Sequence, residues 1–213
     1  VVGGGAAGVE LTLALARRFA AVRPEIRLWQ RGALLGGHPV RGEVLALLEQ
    51  RGIVVQEHTA VQGVTVEGDR RWVHTNRGDW AARRVVWAVP GRGADWVGAS
   101  GVAVDAQGCV LVADTLQSVS HPQLFAAGDG ATLQANPQPK AGVVAVRQGE
   151  VLATNLGRWE QGQPLRPYRP PAHYLSLLGS ADGQAWAVWG AWYHRHRIWG
   201  SLKRAIDERF LQG

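Results

Sequence analysis

Methionine does not occur in this 213-residue sequence, Lys140 and Lys203 are its only lysines, and Cys109 is its one cysteine. A lone cysteine excludes an internal disulfide, a CxxC redox pair and a cysteine-built zinc site within these residues. Cys109 itself lies in a stretch of strand character and reads as an inert residue rather than a nucleophile. No signal peptide and no run of about 18 apolar residues is present, so nothing argues for secretion or a spanning helix. An intracellular, cytoplasmic compartment is the expectation. Basic residues interleaved with aromatics are missing before residue 190, so the net charge of +6 reads as solvated surface and not as a nucleic-acid interface. Among seven histidines, His194 and His196 flank Arg195 with no third ligand type nearby, so no metal site is expected. The missing methionine and an opening that runs straight into a strand lead us to expect a piece of a longer chain.

What is present at once is a glycine motif. Val1 and Val2 lead into Gly3, Gly5 and Gly8, and an apolar run of helical period follows through Val9, Leu11, Leu13, Leu15 and Phe19. A strand turning into a helix through this spacing suits a pyrophosphate. Gly3 permits the tight turn, Gly5 a close backbone approach, and Gly8 tight packing of helix on strand, while the helix N-terminus directs N–H groups at an anion. Glu25–Gln30 alternates as a second strand, and a glycine-rich loop occupies residues 31–39. Its last residue, Gln30, stands where an acid would accept the ribose hydroxyl of NAD. With Arg31 beside it, either a 2′-phosphate is read here and NADPH is favoured, or Arg31 opens a surface turn.

Val40–Arg51 has the pattern of an amphipathic helix stopped by Gly52, and Ile53–Gln56 that of a strand. Ala60–Glu67, Arg71–Asn76 and Trp80–Ala88 read as a meander. Val85–Val89 is continuously apolar and predicts a strand buried on both faces, ending in a loop at Pro90 and Gly91. Beyond a shift in composition at residues 99–101, Val102–Asp105 and Cys109–Val112 form a hairpin. A short strand then stops at Gly128-Asp129-Gly130, which displays a carboxylate, and a helix begins near Lys140, Ala141 and Gly142. Asp129 is either a cofactor anchor or a cap.

In VVGGGAAGVEL, VVWAVPG, and LFAAGD followed by PKAGVVAVRQG, taken in order, the chain resembles the pyridine nucleotide-disulfide oxidoreductases, and among them the type II NADH dehydrogenase branch. The resemblance implies an α/β fold. A Rossmann-like NAD(P)-binding domain, with a parallel sheet and a β-meander, would occupy residues 1–100. The C-terminal portion of an FAD-binding domain would occupy 101–170, and a Trp-rich basic extension 171–213. It implies NAD(P)H held by Gly3, Gly5, Ala6, Ala7, Gly8, Glu10, Gln30, Arg31, Pro90 and Gly91. FAD would meet Gly128, Asp129, Lys140, Ala141, Gly142 and Val143. No residue of the chain takes part in covalent catalysis on this reading. Its expected partners are an N-terminal FAD-binding half and a small-molecule electron acceptor such as a quinone. The ending, with Lys203, Asp207 and Phe210, is similar to the flavoprotein module fused ahead of selenide, water dikinase, which leaves a non-catalytic or regulatory module as the alternative. Trp186, Trp189, Trp192 and Trp199 beside Arg195, Arg197 and Arg204 either pack on another protein surface or lie peripherally on the inner face of the cell membrane.

Overall fold

Val9, Thr12 and Leu13 form the buried stripe of the first helix, α1 (Ala6–Arg18), since residues three and four apart share a helical face. The computed structural model describes residues 1–212, with side chains as far as Arg209, so the side chain of Phe210 lies outside the described residues. After α1 come β1 (Arg27–Trp29), α2 (Arg41–Gln50), β2 (Val54–Gln56), β3 (Val61–Glu67), β4 (Arg70–Thr75), β5 (Gly78–Ala82) and α3 (Asp95–Ala99). Then follow β6 (Val110–Val112), β7 (Ala131–Leu133), α4 (Gly142–Glu160), β8 (Ser176–Gly179), β9 (Ala185–Trp189), β10 (Trp192–His196) and α5 (Arg197–Gln212). Parallel and antiparallel pairings coexist, which makes the chain a mixed α/β protein.

Two compact units emerge, one formed by residues 1–89 together with those from 173 onward, the other by 90–172. In the first, β1 and β2 run parallel with Arg27 opposite Val54, and Val2 bridges both Trp29 and Trp87 in the parallel sense. Successive strand residues point to opposite faces. Accordingly Val1 and Leu28 join Val9, Leu13, Val44 and Leu48 on the helical side. Val2 and Trp29 instead meet Val73 of the antiparallel meander β3–β4–β5. The result is helices, parallel strands and meander in three layers.

Residues 85–89 depart from expectation, because Trp87 and Val89 are 52% and 50% exposed. Only Val86 and Ala88 turn toward the helical core and Val85 toward the meander, so this apolar run is covered incompletely rather than on both faces. The boundaries also differ from those placed at 100/101 and 170/171. The Trp-rich ending folds into the first unit because Leu178, Trp186 and Val188 share its core. The Trp186 indole N–H donates to Glu43 Oε2 at 2.7 Å, and Trp186 is fully buried. By contrast Trp189 and Trp192 remain half-exposed.

The second unit is built on β6 and β7, parallel with Val110 opposite Ala131, and covered by α4. Buried Asn155 of α4 donates to the Thr115 and Arg166 carbonyls and accepts from the Arg166 N–H. A polar side chain fully enclosed in this way needs all its partners, since an unpaired one costs about 1–3 kcal/mol.

Candidate functional site

Gly3 holds φ +107°, a backbone region closed to most L-residues, and a Cβ there would meet the Ala88 carbonyl. A Cβ on Gly8 would lie 1.8 Å from the Gly3 carbonyl oxygen. Both glycines are therefore demanded by the chain's own packing. Gly5 is different: its φ of −76° suits any residue, and a Cβ on it meets nothing within 4 Å. Gly5, Ala6 and Ala7 are exposed, and as N-cap of α1 Gly5 offers no side-chain oxygen to the first-turn N–H groups. No contact among the described residues requires a glycine at position 5.

Gln30 Oε1 accepts a hydrogen bond from the Gly4 N–H at 2.8 Å, which turns this side chain inward as a brace for the glycine loop. The Gly3 N–H donates to the Trp29 carbonyl and pins the same loop to β1. One residue beyond β2, Glu57 accepts from Arg41 on both oxygens, at 2.8 and 2.6 Å, and from the Leu34 N–H at 2.5 Å. The Arg41 guanidinium, aided by the Leu34 amide, holds the Glu57 carboxyl below its ordinary pKa. Sequence reasoning missed Glu57, although an acid just past the carboxyl end of a parallel strand was a usable signal. Arg41 is thereby neutralised, whereas Arg31 is exposed and has no side-chain partner among the described residues.

Glu10 is spent elsewhere. Its carboxylate accepts from the Gly179 N–H and lies 3.4 Å from Lys203 Nζ, tying α1 to β8 and α5. Lys203 also pairs with Asp207 at 3.2 Å. Pro90 and Gly91 are exposed at the start of the second unit.

Within that second unit, Gly128, Asp129, Lys140 and Ala141 come together around a shallow notch, with Val144 and Gln148 behind them. Gly128 holds φ +67°, and its N–H donates to Gln148 Oε1 at 2.7 Å, so the buried Gln148 sets the loop that displays Asp129. Asp129 is exposed, and α4 has no side-chain cap hydrogen bond, so capping that helix is not its role. Ala141 is the N-cap of α4, whose first residues are Gly142 and Val143. Lys140 Nζ is anchored on the Ala131 carbonyl and on Thr132 Oγ1 at 3.0 Å.

Thr132 in turn donates to Asp105 Oδ2 at 2.6 Å, and the Gln107 and Cys109 N–H groups donate to Oδ1 at 2.8 and 2.9 Å. Partial burial pushes the Asp105 carboxyl up, but these hydrogen bonds and the Lys140 charge outweigh it and leave the pKa below the ordinary value. A carboxyl depressed in the folded state stabilises fully above the unfolded value of about 4 and loses that contribution as pH falls through the native value. Asp105→Asn should therefore lower the urea midpoint at pH 7 and lose its deficit in strongly acidic buffer, as unfolding curves at the two pH values would show.

A glycine-looped strand-to-helix turn over parallel strands, with a meander on the far face, defines a Rossmann-type dinucleotide-binding unit. The chain belongs to the pyridine nucleotide-disulphide oxidoreductase family, whose model matches residues 1–149. An FAD-dependent oxidoreductase of Flammulina velutipes is 31% identical over 86 residues, which cover 40% of this chain and 26% of that protein. Among solved structures, an engineered water-forming NADPH oxidase bound to NADPH matches 87% of this chain with a TM-score of 0.69 at 18% identity. An FAD-dependent pyridine nucleotide-disulphide oxidoreductase from Desulfovibrio vulgaris matches 89% with a TM-score of 0.68 at 22% identity. These matches span 41% and 48% of the respective relatives, so the chain corresponds to less than half of either. Among the described residues no helix is long and apolar enough to cross a membrane.

Proposed function

We propose that the chain is the nucleotide-binding and late FAD-binding part of an NAD(P)H-dependent flavin oxidoreductase that prefers NADPH. The observation that carries this reading is Gly5, a glycine that no contact within the chain requires, at a helix start whose N–H groups are open. Gly3, Gly5, Ala6, Ala7 and Gly8 would hold the pyrophosphate, with the helix dipole of α1 favouring its charge. Arg31 would meet the 2′-phosphate through charge-assisted hydrogen bonds. Two features support this: position 30 carries an amide, committed to the Gly4 N–H, and not the acid that NAD favours, and the nearby Glu57 carboxylate is committed to Arg41.

In the second unit Asp129 would accept from sugar-alcohol hydroxyls of FAD, and the α4 start with Lys140 would favour negative charge next to it. Bound there, the nicotinamide and flavin would supply the hydride-transfer chemistry, while the chain orients them and sets the local field. Completing the FAD site would require an N-terminal half, and the acceptor, a quinone or another small molecule, lies beyond these residues.

A second reading draws on the C-terminal similarity to the module fused ahead of selenide, water dikinase. Lys203 and Asp207, which carry that similarity, are the two residues joined with Glu10 in one ion-pair group. There the same fold would serve a selenophosphate-synthesising kinase without catalysing electron transfer. Spectroscopy on the protein bearing its FAD-binding half separates the two. We expect a flavin absorbance bleached by NADPH more readily than by NADH, and Arg31→Ala to weaken NADPH about 10–100-fold with NADH unaffected, the value of one charged phosphate contact. An oxidised spectrum indifferent to both nucleotides would favour the module reading.

A further inference from the structure

A groove of about 880 Å³ opens in the first unit where α1 and α2 end, against the β8–β9 turn. It lies the length of α1, about 20 Å, from the glycine loop. Arg17, Arg23 and Arg51 line it together with Asp182, over an apolar floor that includes Ile26 and Ile53. The local charges do not balance. Asp182 Oδ2 is shared by Arg195 at 2.7 Å and Arg51 at 3.2 Å, and the other acid at the rim, Glu25, is taken by Arg27. Arg17 spends one N–H on the Ala181 carbonyl, and the Arg23 guanidinium has no partner among the described residues, its backbone N–H alone being bonded, to the Phe19 carbonyl.

Arg51 and Arg195 thus take up the Asp182 carboxylate between them, and the guanidinium groups of Arg17 and Arg23 are left at the groove with no acidic partner among the described residues. Arg17 as a last-turn residue complements the dipole of α1, but Arg23 lies beyond the helix and cannot be explained in that way. Arg23 and Ala181 moreover hold φ of +46° and +59°, left-handed backbone in residues that carry a Cβ. The arginine repulsion is felt at Arg51, whose charge is opposed first by burial and then by Arg195 and Arg17, with only Asp182 in its favour. An anion entering the groove would relieve that repulsion, and its apolar body would cover the floor.

We propose that this groove is a binding site for small organic anions, a phosphate or carboxylate carried on an apolar body, separate from the dinucleotide loop. The site takes two kinds of contact, so a ligand with both parts binds better than either part alone. Titration calorimetry of the 213-residue chain at low salt with phenyl phosphate, phenol and inorganic phosphate tests it. Phenyl phosphate should bind saturably and more tightly than the other two. Arg23→Gln, a change at an unpartnered surface residue, should weaken it about tenfold, in keeping with one charged contact. Gly5→Val should leave phenyl phosphate binding intact. Equal affinity in the Arg23→Gln variant, or loss of binding in Gly5→Val, would each overturn the proposal. A chain that binds phenyl phosphate in this manner yet ignores NADPH would overturn the dinucleotide reading alone.

Discussion

Gly8→Ala should unfold the first unit at much lower denaturant. A methyl placed 1.8 Å from the Gly3 carbonyl oxygen cannot be accommodated by a side-chain rotation, because the obstacle is backbone. Either α1 lifts away from the opening strand or Gly3 leaves its place beside Ala88. Lifting α1 withdraws Val9 and Leu13, both fully buried, from the core they share with Leu28, Val44 and Trp186. Overpacking typically costs about 1–3 kcal/mol, and a backbone obstacle places this change at the upper end, against a domain stability of roughly 5–15 kcal/mol. Urea unfolding followed by tryptophan fluorescence reports it, since Trp29 and Trp186 are buried in this unit. A midpoint within experimental error of the parent would show that the strand and helix are not in tight contact.

Gly5→Val should do the opposite, sparing the fold and removing nucleotide binding. Valine is a poor N-cap, but Gly5 offers no side-chain cap to lose, so the expected change in stability is below about 1 kcal/mol. Its two methyl groups would stand at an exposed helix start where a pyrophosphate must come close to the backbone. The expected loss in NADPH affinity is about a hundredfold or more, equivalent to roughly 3 kcal/mol, read by fluorescence titration. Retained affinity would remove the main support for the dinucleotide assignment. The two glycines are three positions apart and carry opposite expectations, so together they separate a structural motif from a binding one.

Both were legible in the sequence as members of one spacing, but their different duties were not. Local pattern identifies a strand, a turn and a helix. Only tertiary packing reveals that Gly8 faces backbone and Gly5 faces nothing. The same limit explains Gln30 and Glu57: the end of a strand can be located from alternation, yet which of two neighbouring polar groups turns inward depends on Gly4 and Arg41, brought there by the fold. Asp129 was visible between two glycines, whereas Gln148, which fixes its loop, sat in a helix with nothing local to mark it. The Trp-rich ending was the least legible. Its aromatics invited a surface role, and one of them, Trp186, instead completes a core begun by residues far away in the chain.

That core has a consequence for the order in which the protein can form on the ribosome. Residues 1–89 emerge before the rest of their unit, which is closed by Leu178, Trp186 and Val188 only after 90–172 have been made. The core of the intervening unit is drawn, among the described residues, from one contiguous stretch and can therefore assemble before the first unit closes, although it starts second. Until the last strands arrive, the opening helices must wait with an uncovered apolar face, a vulnerable interval in which a nascent-chain chaperone would have most to protect.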